Sequence, residues 1–240
     1  MHPTSTGQNL FQTTAWDLVQ ALSSSEGEAN RDHWEELTQR YWPAIYSFLR
    51  AKKWSREDAM DLTQDFFFYL MDKDLLLKAD SAKGRFRSYL LGILTRFISD
   101  ERDRRNAQKR RGDYQHLSLH DLENWQEQGS FSDEPEYEFH RRWAITLLQR
   151  VLQRMQEECK QKDKLWQYEA VYVLYFDPKS HKLSGKALAK KLGLEPESIA
   201  DKLRSARLVY GRLLREEVAK TVRFSTEIDD EIKHLLSCLK

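Results

Sequence analysis

The chain has 240 residues, enough for one large or two small domains, and its formal net charge of +1 identifies no partner by bulk attraction. Only nine glycines and five prolines occur, which favours an all-α protein over a turn-rich sheet protein. The two cysteines, Cys159 and Cys238, lie far apart and form no metal-knuckle or disulfide spacing, so we expect a reducing, cytoplasmic setting.

The first elements in chain order are a polar lead and two helices. Residues 1–12 lack an apolar signal core, and no stretch approaches the length of a membrane span, so we expect no membrane contact. The segment TTAWDLVQAL predicts a short helix capped by Thr14. A longer helical pattern runs from about residue 32 to residue 53, and Pro43 inside it is expected to kink or split the helix.

The segment WSREDAMDLTQDFFFYLMDKD predicts a third helix with two different faces. Ser55 and Asp58 form a capping box at its start. One face is apolar and includes Leu62 and Phe66. The opposite face is polar and consists of Asp58, Asp61, Gln64 and Asp65. From the residues alone, this polar face is either a solvated helix side or a docking surface.

A fourth helix is predicted from RFRSYLLGILTRFIS. Its apolar stripe ends at Ile98, but no helix breaker follows before Gly112, and the intervening run is rich in arginine. We therefore predict that the helix continues, with an apolar half in a bundle and a basic half projecting. Such a run is either a solvated helix end or a surface that binds phosphates, and nearby aromatic residues can hold unstacked bases. These aromatic residues are Trp54, Phe86, Tyr89 and Phe97.

Charge is segregated along the chain. Residues 83–111 contain ten Lys or Arg and three acids, residues 112–139 contain eight acids and no Lys or Arg, and residues 179–215 again contain ten Lys or Arg and three acids. Two blocks of net charge +7 flanking an acidic stretch suggest two polyanion-binding surfaces joined by a linker. The predicted units are a helical domain over 14–111, an acidic linker over 112–139, a second helical domain over 140–224 and a carboxy-terminal helix over 225–240.

The segment SGKALAKKLGLEPESIADKLRSAR predicts a helix-turn-helix. Ser184 caps the first helix, Gly193 lies where a left-handed C-cap is needed, and Pro196 suits the start of the second helix. The outward face of the second helix is predicted to consist of Glu197, Ser198, Asp201, Lys202, Arg204, Ser205 and Arg207. A helix of this kind enters the major groove of DNA, and the alternative is an ordinary helical hairpin with a solvated charged face.

Three segments, in this order, resemble the extracytoplasmic-function (ECF) sigma factors of the sigma-70 family. REDAMDLTQDFF is similar to the acidic helix of region two, KGRFRSYLLGILTRFISDERDR to the helix that follows it, and LSGKALAKKLGLEPESIADKLRSARLVYGRLLREEV to region four. HRRWAITLLQRVL and IDDEIKHLLSCL resemble a longer branch with a carboxy-terminal extension. The resemblance covers nearly all of the chain from about Thr14 onward.

This resemblance implies a transcription initiation factor rather than an enzyme, with no cofactor, no metal and no catalytic residue. Its partners would be core RNA polymerase and promoter DNA, with room for an anti-sigma protein. The polar face of Asp58, Asp61, Gln64 and Asp65 would dock on the coiled coil of the polymerase clamp. The loop KADSAKG and the helix after it would melt the downstream promoter element, and the helix-turn-helix would read the upstream element.

The resemblance also implies the individual DNA contacts. Those to the downstream element are Lys83, Arg85, Phe86, Arg87, Tyr89, Arg96, Arg102, Arg104, Arg105 and Lys109. Those to the upstream element are the seven residues of the outward face of the second helix. Arg96 stands where asparagine is common in the family, and Asp201 where a neutral or basic residue is common. Glu195 replaces the usual Ser or Thr cap of the recognition helix, which costs about 1 kcal/mol of helix stability.

Two other functional classes compete with this interpretation. A helix-turn-helix regulator that acts without polymerase would explain the basic blocks but not the acidic face of the third helix. An enzyme is disfavoured because the histidines are scattered without metal-ligand spacing and no phosphate-cradling glycine loop occurs. Asp58 and Asp61 lie three residues apart on one helix, without a second acidic cluster in a matching helix.

Overall fold

The computed structural model describes residues 15–24, 27–80, 84–109, 131–177 and 184–239. Across these residues the structure is helical and contains no strand, which confirms the predicted all-α class. The helices are α1 (Ala15–Ser24), α2 (Glu28–Ala51), α3 (Arg56–Asp72), α4 (Phe86–Lys109), α5 (Pro135–Gln161), α6 (Leu165–Tyr175), α7 (Gly185–Lys191), α8 (Ile199–Ala219) and α9 (Ile228–Ser237). Short 3₁₀ turns lie at Leu76–Lys78, Pro196–Ser198 and Ser225–Glu227.

The helix ends follow local chemistry. The Ser55 hydroxyl accepts a hydrogen bond from the Asp58 backbone N–H at 3.0 Å and donates one to the Asp58 carboxylate at 2.9 Å, so the predicted cap forms. Ser184 caps α7 by accepting from the Ala187 N–H at 3.3 Å. Gly193 has φ +63° after α7, the left-handed conformation that glycine adopts without steric penalty.

One expected break does not occur. Pro43 lies inside α2, yet α2 is a single helix from Glu28 to Ala51 rather than two. Of the two expected effects of Pro43, a kink or a split, the split does not occur. Pro43 removes only one backbone donor, and the second half of α2 is held by burial of residues such as Phe48 and Leu49, which are fully excluded from solvent. Removing one such aromatic side chain costs about 3–5 kcal/mol, the size of the penalty for an interior proline or larger.

The core is centred on α2 and α5, which form the most extensive helix pair among the described residues. α3 and α1 pack on α2, while α6, α8 and α9 pack on α5. The buried apolar side chains form one contiguous cluster that reaches from Val19 in α1 to Cys238 just after α9. Residues of both predicted helical units therefore share a single apolar core in this arrangement.

The predicted linker is shorter than expected at its carboxy-terminal end. Residues 112–130 lie outside the described residues, but residues 131–134 lie against α2, and α5 begins at Pro135. The Phe131 ring lies 6.4 Å from that of Tyr46, and Lys53 forms an ion pair with Asp133. Some of the acidic residues of this stretch lie in the first turn of α5, where carboxylates stabilise a helix. Pro135 at the first helical position is the sequence signal for this helix start.

The last two residues of the predicted linker are also buried rather than solvated. Glu138 is 1% exposed and its carboxylate accepts a bond from the Arg141 guanidinium at 3.4 Å, while Phe139 is fully buried. The division of the chain into two separately folded units at 112–139 stays a prediction. None of the described helices is both long and apolar enough to cross a membrane.

Candidate nucleic-acid and protein interfaces

The polar face of α3 lies where the sequence predicts it. Asp65 is exposed, while Asp58, Asp61 and Gln64 are partly exposed on the same side of the helix. Phe68 continues this side one turn further and is 52% exposed. The opposite side of α3 is buried in the core. α3 therefore presents an acidic surface with an exposed aromatic side chain at its end.

The beginning of α4 was expected to contact DNA, but it is buried. Phe86 is 1% exposed and belongs to the core, where its ring lies edge-on to Tyr41 at 5.4 Å. Arg87 is 6% exposed, and the Tyr89 hydroxyl donates to the Leu75 carbonyl at 2.6 Å. In this conformation neither Phe86 nor Arg87 is accessible to DNA. Lys83 lies outside the described residues.

The second half of α4 stays helical, as predicted, and carries exposed arginines. The helix continues to Lys109, and the side chains of Arg96, Arg102 and Arg104 are exposed. The Arg102 guanidinium lies 5.7 Å from the centre of the Trp54 ring and donates to the Lys52 carbonyl at 3.2 Å. The helical backbone includes Arg105 and Lys109, but their side chains lie outside the described residues.

Not every aromatic neighbour of α4 can hold a base. Phe97 packs on Phe66 and Tyr69, with ring centres 5.4 and 5.2 Å apart, so it belongs to the α3–α4 contact. Trp54 is the aromatic side chain that accompanies an exposed arginine. Arg104 is engaged by the Glu101 carboxylate through two bonds of 2.8 and 3.1 Å. The Glu101 side chain is 7% exposed, so this ion pair is partly buried and Arg104 is already engaged within the protein.

α7, the turn at Gly193 and α8 form the expected helix, turn and second helix. Leu188 of α7, Leu192 just after it, and Ile199 and Ala206 of α8 are buried, so the two helices share an apolar side. The Glu195 side chain forms no cap hydrogen bond, which agrees with the missing Ser or Thr cap noted in the sequence. A 3₁₀ turn over Pro196–Ser198 leads directly into α8 instead.

The outward face of α8 is narrower than predicted. Glu197, Asp201, Arg204 and Arg207 are exposed, and Ser198 is partly exposed. Two other members of the predicted face are turned toward α6. Ser205 accepts a bond from the Gln167 side-chain amide at 3.0 Å, and the Lys202 ammonium lies 5.6 Å from the centre of the Trp166 ring. The expectation that Ser205 and Lys202 point outward is corrected by the packing of α6 along α8.

Several exposed apolar residues near α8 are not indicated by the sequence patterns. Leu208 is 68% exposed, and Tyr172 and Tyr175 of α6 are 45% and 50% exposed, although the segment LWQYEAVYVLYF reads as a buried helix. The Arg207 guanidinium donates to the Tyr175 hydroxyl at 3.1 Å. Tyr175 also stacks on Tyr210 at 6.1 Å, and burial raises the pKa of Tyr210 to about 12. The exposed arginine side of α8 is therefore bordered by aromatic rings.

α9 meets α4 and α5 at a charged junction that sequence reasoning missed. The Glu231 carboxylate of α9 is fully buried and forms ion pairs with Arg85, at 2.9 Å, and with Arg87. The Arg87 guanidinium lies 4.5 Å from the centre of the Trp143 ring of α5. Burial lowers the pKa of Arg87 to about 10, so its side chain remains charged at neutral pH. In sequence, Glu231 looks like one more acid in the first turn of a helix, and only its position on the apolar side of α9 hints at burial.

Two histidines and a thiol lie at the same junction. The rings of His140 and His234 have centres 5.6 Å apart, and the Cys238 sulfur is 3.5 Å from His234 Nε2. Burial lowers the pKa of His140 to about 4, with Arg87 and His234 adding to the effect. Burial and the two arginines also lower the pKa of His234. The histidines are therefore neutral at pH 7. No group of side chains among the described residues is arranged to hold a metal ion.

Comparisons with known proteins do not assign the chain to a family: no protein-family profile, no curated protein and no solved structure matches it.

Proposed function

We propose that the protein is a sigma factor of the sigma-70 family, which binds core RNA polymerase and directs it to promoter DNA. The observation that carries the proposal is the order of three surfaces along one chain. An accessible acidic face on α3 precedes the projecting basic half of α4, and an accessible helix-turn-helix follows in α7 and α8. The resemblance of all three segments to the ECF sigma factors supports the same assignment.

Each surface has a physical task in this proposal. Asp61 and Asp65 on α3 pair with basic side chains of the polymerase, while Phe68 beside them is buried on docking. Arg102 and Arg104 hold phosphates of the strand backbone, with Trp54 next to Arg102 as a surface for an unstacked base. The exposed side of α8, with Arg204 and Arg207, enters a major groove. The protein binds and positions nucleic acid in this scheme and catalyses no reaction.

A helix-turn-helix regulator that acts without polymerase is the second candidate. The exposed face of α8 favours it as much as it favours a sigma factor. The acidic face of α3 distinguishes the two, because a regulator that binds only DNA has no use for an accessible acidic surface next to its basic helix. Such a surface would repel the phosphates that α4 attracts.

A charge reversal on α3 tests the proposal. Asp61→Lys with Asp65→Lys should lower the affinity for purified core RNA polymerase at least about tenfold, since close interfacial charge pairs are worth more than about 1.5 kcal/mol. Both side chains lie on the polar side of α3, so the circular-dichroism spectrum is expected to stay helical. The matched control is Glu157→Lys with Glu169→Lys, the same charge change at two exposed positions of α5 and α6. Equal binding by both double variants would contradict the assignment of the α3 face.

A further inference from the structure

We propose that α9 is an autoinhibitory latch, in which the Glu231 carboxylate occupies, on Arg85 and Arg87, the place of a nucleic-acid phosphate. The proposal rests on the proposed function, because it adds a regulatory step to the DNA-binding surface at the start of α4. The closed arrangement is the one that the structure shows, and the open arrangement frees both guanidinium groups.

The geometry of the ion pairs points to a phosphate. Two guanidinium groups from alternate residues of one segment approach the Glu231 carboxylate: Arg87 is hydrogen-bonded to it and Arg85 lies within ion-pair distance. The Thr221 hydroxyl also donates to this carboxylate, at 3.4 Å. A phosphodiester presents the same feature to such a pair, namely two oxygens that share one negative charge. The ligand class that competes with Glu231 is therefore the nucleic-acid backbone.

The ion pairs between α9 and the start of α4 are buried. Glu231 is fully excluded from solvent, and the Arg87 side chain is 7% exposed, while Arg85 keeps 25% of its side-chain surface. A structural helix can dock by apolar contacts alone, so a buried ion pair is not needed to attach α9. Ion pairs of this kind often contribute no more stability than apolar side chains of the same volume would. A carboxylate at position 231 is useful if Arg85 and Arg87 also bind a phosphate, because it can then compete with that phosphate.

α9 is a ten-residue helix with one buried side. That side comprises Glu231 and Leu235, followed by Cys238 just after the helix, and Ile228 and Ile232 are partly buried beside them. The other side is exposed and includes Leu236 at 51% exposure. The connection of α9 to α8 is a short segment with a 3₁₀ turn and an ion pair of 2.5 Å between the exposed side chains of Arg215 and Asp229. Detaching α9 leaves in place the contact between α2 and α5, the most extensive helix pair among the described residues.

The consequence for binding follows from population arithmetic. If α9 covers the arginines in most molecules, the apparent affinity for DNA is reduced by the fraction of molecules in the open state. A partner that removes α9 raises the affinity without making a contact to DNA itself. The helix neighbouring α9 on the other side, α8, belongs to the proposed upstream DNA-binding unit, so engagement of α8 can be coupled to opening.

The test uses the full chain and a labelled short DNA duplex of arbitrary sequence, with binding measured by fluorescence anisotropy over a salt series. Glu231→Gln removes the competing charge, so the affinity of this variant for the duplex at low salt should be about tenfold higher than that of the parent chain. The slope of log K against log salt should steepen by about two, because two more phosphates are contacted. The matched control is Asp230→Asn, the same charge change at an exposed neighbour, which should change neither quantity. Equal behaviour of the two variants would overturn the latch.

Two further variants keep the test decisive if Glu231→Gln folds poorly. Leu235→Ala weakens the apolar contact of α9 while leaving all charges in place, and it should raise the affinity in the same direction. Adding Arg85→Gln and Arg87→Gln to the Glu231→Gln chain should return the affinity and the salt slope to the values of the parent chain. A gain that survives loss of both arginines, or no gain with Leu235→Ala, would contradict the proposal.

Failure of the latch can be told apart from failure of the proposed function. If the parent chain and every variant bind DNA with the same affinity, the latch is wrong and the DNA-binding function stands. If no variant binds DNA even at low salt, the latch is wrong, and the sigma-factor proposal is decided separately by the binding of core RNA polymerase.

Discussion

At the scale of single residues, the buried Glu231–Arg87 pair is the group whose loss should matter most for stability. Arg87→Met leaves the buried Glu231 carboxylate with only Arg85 as a charged partner, beside the Thr221 hydroxyl, and removing one partner of a buried pair typically costs about 3–5 kcal/mol. The double variant Arg87→Met with Glu231→Leu removes both charges and should recover most of that loss. Urea unfolding of the two variants measures the difference. A double variant as unstable as the single one would show that the pair stabilises the fold by itself.

His140 gives the fold a dependence on pH. Its pKa is about 4 in the folded chain against an ordinary value of 6.5, so between these values the unfolded chain binds more protons than the folded one. The groups that face its ring are Arg87 from α4, Glu136 from its own helix and His234 from α9. The stability contribution is complete above the ordinary value and is lost as the pH falls toward 4.

This dependence should be measurable as a loss of stability on the order of 1–2 kcal/mol between pH 7 and pH 4, allowing for solvent screening of a partly exposed ring. His140→Asn should flatten the corresponding part of the stability curve, because the titrating group is gone. Denaturant midpoints at several pH values provide the comparison. A curve with the same slope in the parent chain and in His140→Asn would assign the effect to other groups.

At the scale of elements, the sequence predicts helices by their apolar periodicity and their caps, and both act locally. Ser55, Ser184 and Gly193 hold the expected positions because a cap or a left-handed residue is decided by a few neighbouring atoms. The continuity of α2 through Pro43 is not decided locally, since burial of its second half on α5 offsets the lost bond. Periodicity cannot reveal which helix lies across from another.

The candidate site shows the same division between local and non-local information. Asp65 and Arg204 are exposed as predicted, because each lies opposite an apolar stripe of its own helix. Ser205 and Lys202 are turned toward α6, and Arg87 is covered by α9. These burial events come from helices more than thirty residues away in sequence, and a charged residue carries no local sign that a distant carboxylate will pair with it.

α5 gives a test at this scale. Because α5 begins at Pro135 and Glu138 is 1% exposed, a Glu-specific protease should cut after Glu138 far more slowly than at an exposed glutamate such as Glu57. Cleavage requires local unfolding, and the first turn of α5 is held by Phe139 in the core. Mass spectrometry of timed digests measures the order of cuts. Early cleavage after Glu138 would contradict the start of α5.

At the scale of the whole molecule, α2 and α5 join the two halves of the chain through one apolar cluster. A sigma factor on polymerase must present its two DNA-binding surfaces to separated stretches of promoter, so this closed arrangement suits the free protein. α9 packs on α8 and adds to this closed arrangement through the ion pairs of Glu231 with Arg85 and Arg87. Under the proposed function, the predicted division at 112–139 would correspond to a second, open state that polymerase selects, while the shared core is the state that the structure shows.

The most direct test of the sigma-factor proposal is transcription by core RNA polymerase freed of its own initiation factors. The protein is added to this core enzyme with fragments of bacterial genomic DNA, and the 5′ ends of the transcripts are mapped. If the protein is a sigma factor, we expect discrete start sites that appear only when the chain is present and that disappear with Asp61→Lys and Asp65→Lys. Transcripts with the same scattered 5′ ends, with and without the chain, would contradict it.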